Sequence, residues 1–147
     1  MEKIEKLKKF LKREKIDGYI IPKNDEFFGE YVPNHNDRLN FISNFSGSYG
    51  LALILKNKNY LFVDGRYTLQ ANDQSNKNFK VITIPDTMPS DILRKKKLLI
   101  GFDPNLFTKK SLSIFFGKSK CEYKPLPKNL VDEIWKRKMK KNENKFF

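Results

Sequence analysis

Residues 60–71 read YLFVDGRYTLQA, and the reading of this stretch decides the fold. Tyr60, Leu61, Phe62 and Val63 are aromatic, apolar or β-branched, the composition of a buried strand. Asp64 and Gly65 then break the run, because glycine tolerates positive φ and aspartate hydrogen-bonds its own backbone. Thr68 is placed to begin a helix. The turn between strand and helix would present Arg66 and Tyr67 at the strand's C-terminal end. A guanidinium there can meet a carboxylate or phosphate with a planar, permanently charged fork. Arg66 is therefore read either as a binding residue or as a surface ion-pair residue, and spacing leaves both open.

Working outward, LALIL at 51–55 is a second strand, joined to the first by KNKN at 56–59 as a hairpin. Upstream, Leu39, Phe41, Ile42 and Phe45 outline a short helix that leads into the turn SGSYG. The GSYG piece has the G-x-x-G form that clamps RNA backbone in KH domains, but there it lies between helices, whereas here Gly50 runs into a strand. No G-x-S-x-G nucleophile elbow and no Gly-rich phosphate loop occurs.

Towards the start, Ile4, Leu7, Phe10 and Leu11 recur at helical spacing among Lys and Glu, which predicts an amphipathic first helix that packs on the domain. Asp17 and Gly18 end it, residues 19–21 form a strand, and Pro22 stops that strand. Residues 23–37 read as an irregular loop with Phe27, Phe28 and Tyr31 interspersed. His35 lies in it and is read as exposed, since no second ligand has metal spacing.

Downstream, VITI at 81–84 is a strand ended by Pro85, and Ser90 is read as the N-cap of a short helix. LLIGF at 98–102 is a strand closed by Asp103 and Pro104. Thr108 caps a helix with Leu112, Phe115 and Phe116 on one face, closed by Gly117. Residues 121–124 form an edge strand, and NLVDEIW a last helix. Strands alternating with helices predict an α/β domain around a mixed sheet.

Composition narrows the classes. The 147 residues are 39% hydrophobic with 13 Phe and 6 Tyr, enough for one domain with a real core. No apolar run approaches the roughly 20 residues of a membrane helix, and the charged start MEKIEKLKKF lacks the apolar segment of a signal peptide, so a cytoplasmic protein without a membrane partner is expected. The lone Cys121 has neither a disulfide partner nor a nearby metal ligand and is read as a small packing residue. The net charge of +13 would suit nucleic acid, yet the lysines are spread along the chain and arginine stands only at 13, 38, 66, 94 and 137. Nucleic acid is not the expected partner.

Several segments together resemble the N-terminal domain of the Xaa-Pro aminopeptidases (aminopeptidase P) of the creatinase and prolidase superfamily. They are DGYIIPKNDEFFGEYVP, DRLNFISNFSGSYGLALIL, YLFVDGRYTLQA, LLIGFDP and NLVDEIW, in order over roughly residues 17–135. The resemblance implies a three-layer α/β fold, similar to the ribonuclease H-like arrangement, with helices on both faces of a mixed sheet. It assigns residues 1–135 to that domain and leaves 136–147 as a basic tail, expected to be disordered.

The resemblance also implies a role. In the family this domain lies beside a pita-bread catalytic domain, helps form dimers, narrows access to the active site, and offers the arginine of the DGRY segment to the peptide. That role falls here on Arg66. The family's two divalent ions, usually manganese, are held by two Asp, one His and two Glu of the catalytic domain, where they activate water for amide hydrolysis. Those ligands would follow Trp135, and residues 136–147 cannot supply them. The expectation is therefore a non-catalytic N-terminal domain from a truncated or split gene or an excised piece, with no cofactor and no catalytic or metal-binding residue of its own. Paired in trans with a catalytic chain, it would help remove an N-terminal residue that precedes proline. The alternative class is a basic module that has reused the fold to bind nucleic acid through Lys136, Arg137, Lys138, Lys140 and Lys141.

Overall fold

The computed structural model describes residues 2–24, 32–75 and 78–135. Six strands form one sheet in the order β4-β3-β2-β1-β5-β6. They are β1 (Gly18–Pro22), β2 (Gly50–Leu55), β3 (Asn59–Asp64), β4 (Lys80–Ile84), β5 (Leu99–Phe102) and β6 (Glu122–Pro125). Strands β1, β2 and β3 pair antiparallel, while β3 with β4, β1 with β5, and β5 with β6 are parallel. The hairpin expected at 56–59 joins β2 to β3, with Leu61 opposite Ala52 and Leu55 N–H donating to Lys58 O at 2.9 Å.

Period-two alternation sends each strand's side chains to two separate cores. Tyr19, Ile21, Ala52, Ile54, Leu61 and Val63 join Leu7, Leu11, Leu39, Ile42, Ala71 and Leu130 on one face. Those partners come from α1 (Glu2–Glu14), α2 (Arg38–Ser43), α3 (Thr68–Ser75) and the last helix, α6 (Leu130–Ile134). Ile20, Leu51, Leu53, Phe62, Ile100 and Phe102 join Leu93, Leu106 and Phe116 on the other. That side is covered by α4 (Pro89–Ile92) and α5 (Lys109–Phe116). Helices thus lie on both faces of a mixed sheet, and the central strands are buried on both sides, which is why LALIL and YLFV read as continuous apolar runs.

Local details depart from the expectations in places. Helix α1 ends at Glu14 with Lys15 at φ 59°, before Asp17 is reached. No described glycine has positive φ, so Gly65 and Gly117 act without left-handed geometry. The turn after β3 is a 3-10 turn (Gly65–Tyr67) capped by the Asp64 side chain, and α3 starts at Thr68. Ser90 is not a cap: α4 begins with Pro89, and Asp91 Oδ2 accepts from Met88 N–H at 2.8 Å. Thr108 does cap α5, accepting from Ser111 N–H at 2.9 Å, and Asn129 caps α6. The loop segment with Phe27, Phe28 and Tyr31, and the tail 136–147, lie outside the described residues.

Candidate functional site

The strand–turn–helix of 60–71 places its turn at one end of the sheet, where parallel β3 and β4 both finish. Asp64, the last residue of β3, accepts two hydrogen bonds on one oxygen. Arg66 N–H donates to Asp64 Oδ1 at 2.9 Å, and Arg66 Nε–H donates to the same atom at 3.2 Å. The backbone bond first, and the guanidinium second, hold the Asp64 carboxyl below its ordinary range. The Arg66 side chain is 74% exposed, and its guanidinium carbon lies 5.3 Å from the centre of the Tyr67 ring. Its two Nη groups make no hydrogen bond among the described residues. The guanidinium is therefore aimed from two directions and still has donors to offer.

Arg66 stands at the mouth of a cleft of about 550 Å³. Asp64, Ser48 and Tyr49 supply its polar wall, and Ile84, Met88 and Phe115 belong to the apolar one. The polar wall is held in place by the 3-10 turn and by α3. Tyr67 and Ser48 share a hydroxyl hydrogen bond of 2.6 Å, Ser46 N–H donates to Gln74 Oε1 at 2.8 Å, and Gln74 Nε2 donates to Ser46 Oγ at 2.8 Å. Gly47 is required underneath: a Cβ there would stand 2.3 Å from the Phe45 ring. Tyr49 is half exposed, and partial burial, then the Asp64 charge, push its hydroxyl above the ordinary value.

The cleft is half polar and half apolar, with one oriented cation, an arrangement suited to an extended peptide. A guanidinium can donate to a peptide carbonyl or a terminal carboxylate while Met88 and Phe115 contact an apolar side chain. The sequence singled out Arg66 and Tyr67; the structure places Arg66 in the lining of the cleft, while Tyr67 stands behind the lining and holds Ser48. It did not locate Asp64 as the residue that orients Arg66, nor Tyr49, Met88 and Ile114 as wall residues. The D-x-R spacing is the signal that could have found Asp64. Ile114 stands outside the Leu112, Phe115 and Phe116 face and is 58% exposed, which is its own signal. His35 is exposed in a 3-10 turn and Cys121 is half-buried, and neither lines the cleft. Among the described residues there is no group of three His, Cys, Asp or Glu side chains that could hold a metal ion, and no helix long and apolar enough to cross a membrane.

A second polar cluster, at the far side of the sheet, went unread. Arg38 is buried and forms a two-point ion pair with Asp132 of α6, while buried Asp103 accepts from Asn129 Nδ2 at 2.8 Å. Lys23 and Asp37 form a further buried ion pair at the start of α2. These contacts join loop to helix and helix to helix, and are structural.

Comparison with known proteins agrees with this architecture. Residues 3–126 match the family model described as the creatinase/prolidase N-terminal domain. The chain is 37% identical over 138 residues to the "Probable Xaa-Pro aminopeptidase P" of Coprinopsis cinerea, an overlap of 88% of this chain and 22% of that protein. It superposes on X-prolyl aminopeptidase from Caenorhabditis elegans, described as a cytosolic enzyme with a di-nuclear active site, with a TM-score of 0.81 at 30% identity, covering 91% of this chain and 25% of that one. The N-terminal domain of the cytoplasmic peptidase PepQ from Mycobacterium tuberculosis H37Rv shares the fold at 20% identity, with a TM-score of 0.69 over 91% of this chain and 98% of that domain. The chain spans about a fifth of the length of the curated relatives it matches. Sheet order, two-faced core and family match together establish that the chain belongs to the creatinase/prolidase N-terminal domain family.

Proposed function

We propose that this domain forms the substrate-access wall of an Xaa-Pro aminopeptidase, with Arg66 as its substrate-binding residue. The hydrolysis itself, of the bond that joins an N-terminal residue to a following proline, belongs to a pita-bread catalytic domain carrying two divalent ions, manganese being the expected metal. The observation that carries the reading is the aimed, exposed guanidinium of Arg66 at the mouth of the cleft beside Asp64. Proline supplies no N–H, so a peptide with proline second is recognised at this position through its carbonyl oxygens and carboxylate, the acceptors an arginine suits. The Nη donors of Arg66 hold the peptide from the side of this domain. Asp64 keeps those donors from swinging into solvent, and Tyr49, Ile114 and Phe115 narrow the approach. Tyr49 and Ile114 are also exposed apolar surface of the kind a catalytic domain, or a second copy of the chain, covers. A cytoplasmic setting accompanies this reading.

The test is to combine the chain with a separately produced catalytic domain of an Xaa-Pro aminopeptidase lacking its own N-terminal domain, and to measure release of the first residue from an Xaa-Pro tripeptide. Turnover should rise on addition of the chain, and the rise should be lost with Arg66→Ala. Turnover that is indifferent to the chain would remove the reading.

A further inference from the structure

At the opposite end of β3 from Arg66 lies a second cleft, of about 500 Å³. The six residues of β3 at about 3.3 Å each separate the two by roughly 20 Å. One wall is the β2–β3 hairpin with Lys56 and Lys58; the other is the segment before β5, with Lys96 and Lys97. Leu55, Tyr60 and Leu98 belong to the lining between them, the first two buried and Leu98 half-buried.

Both walls are fixed. Lys8 Nζ donates to Lys56 O at 3.1 Å and pins the hairpin to α1. Leu99 N–H donates to Asp17 Oδ2 at 2.8 Å, and Glu122 N–H donates to Leu98 O at 2.9 Å, which pins the other wall to the sheet. The cleft contains one carboxylate, Asp17, already engaged by Leu99 N–H and by Lys56 Nζ at 3.6 Å. Lys58, Lys96 and Lys97 have no ion pair among the described residues. Four exposed lysines and one engaged carboxylate leave the cleft with a positive potential that attracts an anion.

We propose that this cleft is an anion-binding site for a small organic phosphate. Its apolar body rests on Leu55, Tyr60 and Leu98, and its phosphate groups lie among Lys56, Lys58, Lys96 and Lys97. Lysine binds phosphate as a movable point charge and needs no fixed planar partner, so four lysines suit a multiply charged phosphate better than a single carboxylate. The proposal does not depend on the role of Arg66.

The experiment titrates the full chain at low salt with ADP and, separately, with inorganic pyrophosphate, following backbone amide shifts. ADP should give saturable shifts confined to residues 55–60 and 96–98, and should bind at least about tenfold more tightly than pyrophosphate, since only ADP carries an apolar body. Replacing Lys58, Lys96 and Lys97 together by Gln should weaken ADP about tenfold or more and leave the thermal melt unchanged, because all three are exposed. Replacing Lys109 and Lys110 on α5 by Gln should leave ADP binding unchanged. Shifts spread over lysines along the whole chain, equal affinity for pyrophosphate, or full binding in the triple variant would overturn the proposal. So would tighter binding of a short single-stranded oligonucleotide than of ADP, which would make the patch a nucleic-acid surface.

Discussion

Arg38 of α2 and Asp132 of α6 form a two-point ion pair, Nε to Oδ1 at 2.8 Å and Nη2 to Oδ2 at 3.0 Å, across 94 residues of chain. The two partners are unequal: the Arg38 side chain is 3% exposed and that of Asp132 36%. Removal of each therefore costs differently. Asp132→Ala takes a carboxylate from a buried guanidinium and should cost about 3 kcal/mol, the lower end for a broken buried pair. Arg38→Met leaves a carboxylate that can turn to water and puts an apolar chain of similar length into the site, so it should cost less. Urea unfolding of both variants checks the order, and a greater loss for Arg38→Met would show that packing around Arg38 outweighs its charge.

Arg66→Ala separates stability from function. The side chain is largely in solvent and its contacts are local, so the unfolding free energy should change by no more than about 0.5 kcal/mol. In the two-domain peptidase assay the same change should lower Xaa-Pro turnover while metal binding by the catalytic domain is unchanged. A large stability loss in calorimetry would make Arg66 structural, and unchanged turnover would remove it from the peptide's path.

Much of this was legible in the sequence because the decisive signals are short-range. The run from Tyr60 to Val63 and the run from Leu51 to Leu55 are buried on both faces, so continuous hydrophobicity alone reveals them. Thr108 caps its helix through a contact three residues away. That Arg66 stands in the turn at the end of β3 was legible for the same reason: strand, turn and arginine are adjacent. What stayed hidden depends on distance in the chain. Arg38 meets Asp132, Lys23 meets Asp37, and the cleft joins residues 48–49, 64–66, 84–88 and 114–115. A buried arginine and an exposed one read alike until the fold supplies a partner. Gly65 misled for a different reason, since the Asp64 side chain closes that turn without positive φ.

The Asp64–Arg66 contact should respond to acid. Asp64 is held below its ordinary value by the Arg66 N–H and guanidinium, so its folded value lies below that of the unfolded chain. The contribution of a depressed carboxyl is present above the unfolded value, near 3.8, and is lost as pH falls through the lower folded one. The turn should therefore stay capped at neutral pH and open only in strong acid. The Arg66 amide and Asp64 carboxyl shifts should titrate together by NMR, and Asp64→Asn should abolish that titration while keeping a side-chain oxygen for the cap. Independent midpoints would show that the two groups are not coupled.

The last prediction concerns the cleft wall at residues 46–49. This stretch is irregular backbone, held to α3 by Gln74 on Ser46 and to the 3-10 turn before it by the Tyr67–Ser48 hydroxyl contact. Gln74→Ala removes the acceptor for Ser46 N–H and the nearer of two donors to its hydroxyl, Gln70 Nε2 remaining at 3.2 Å, and Tyr67→Phe removes the other clamp with almost no change of shape. Each bond lies at an exposed site, where water replaces the lost partner, so each variant should lose only about 0.5–1.5 kcal/mol in global unfolding. The local effect should be larger than the global one. Amide exchange at 46–49 should speed up in each single variant and by more in the double, while exchange in β2 and β3, buried on both faces, stays slow. If the wall binds the peptide, the two-domain enzyme carrying Tyr67→Phe should show a raised KM with kcat nearly unchanged, because a looser wall weakens ground-state and transition-state binding alike and leaves the metal chemistry untouched. A parallel speeding of exchange across the whole sheet would mean that these residues support the fold as a unit and do not hold a wall.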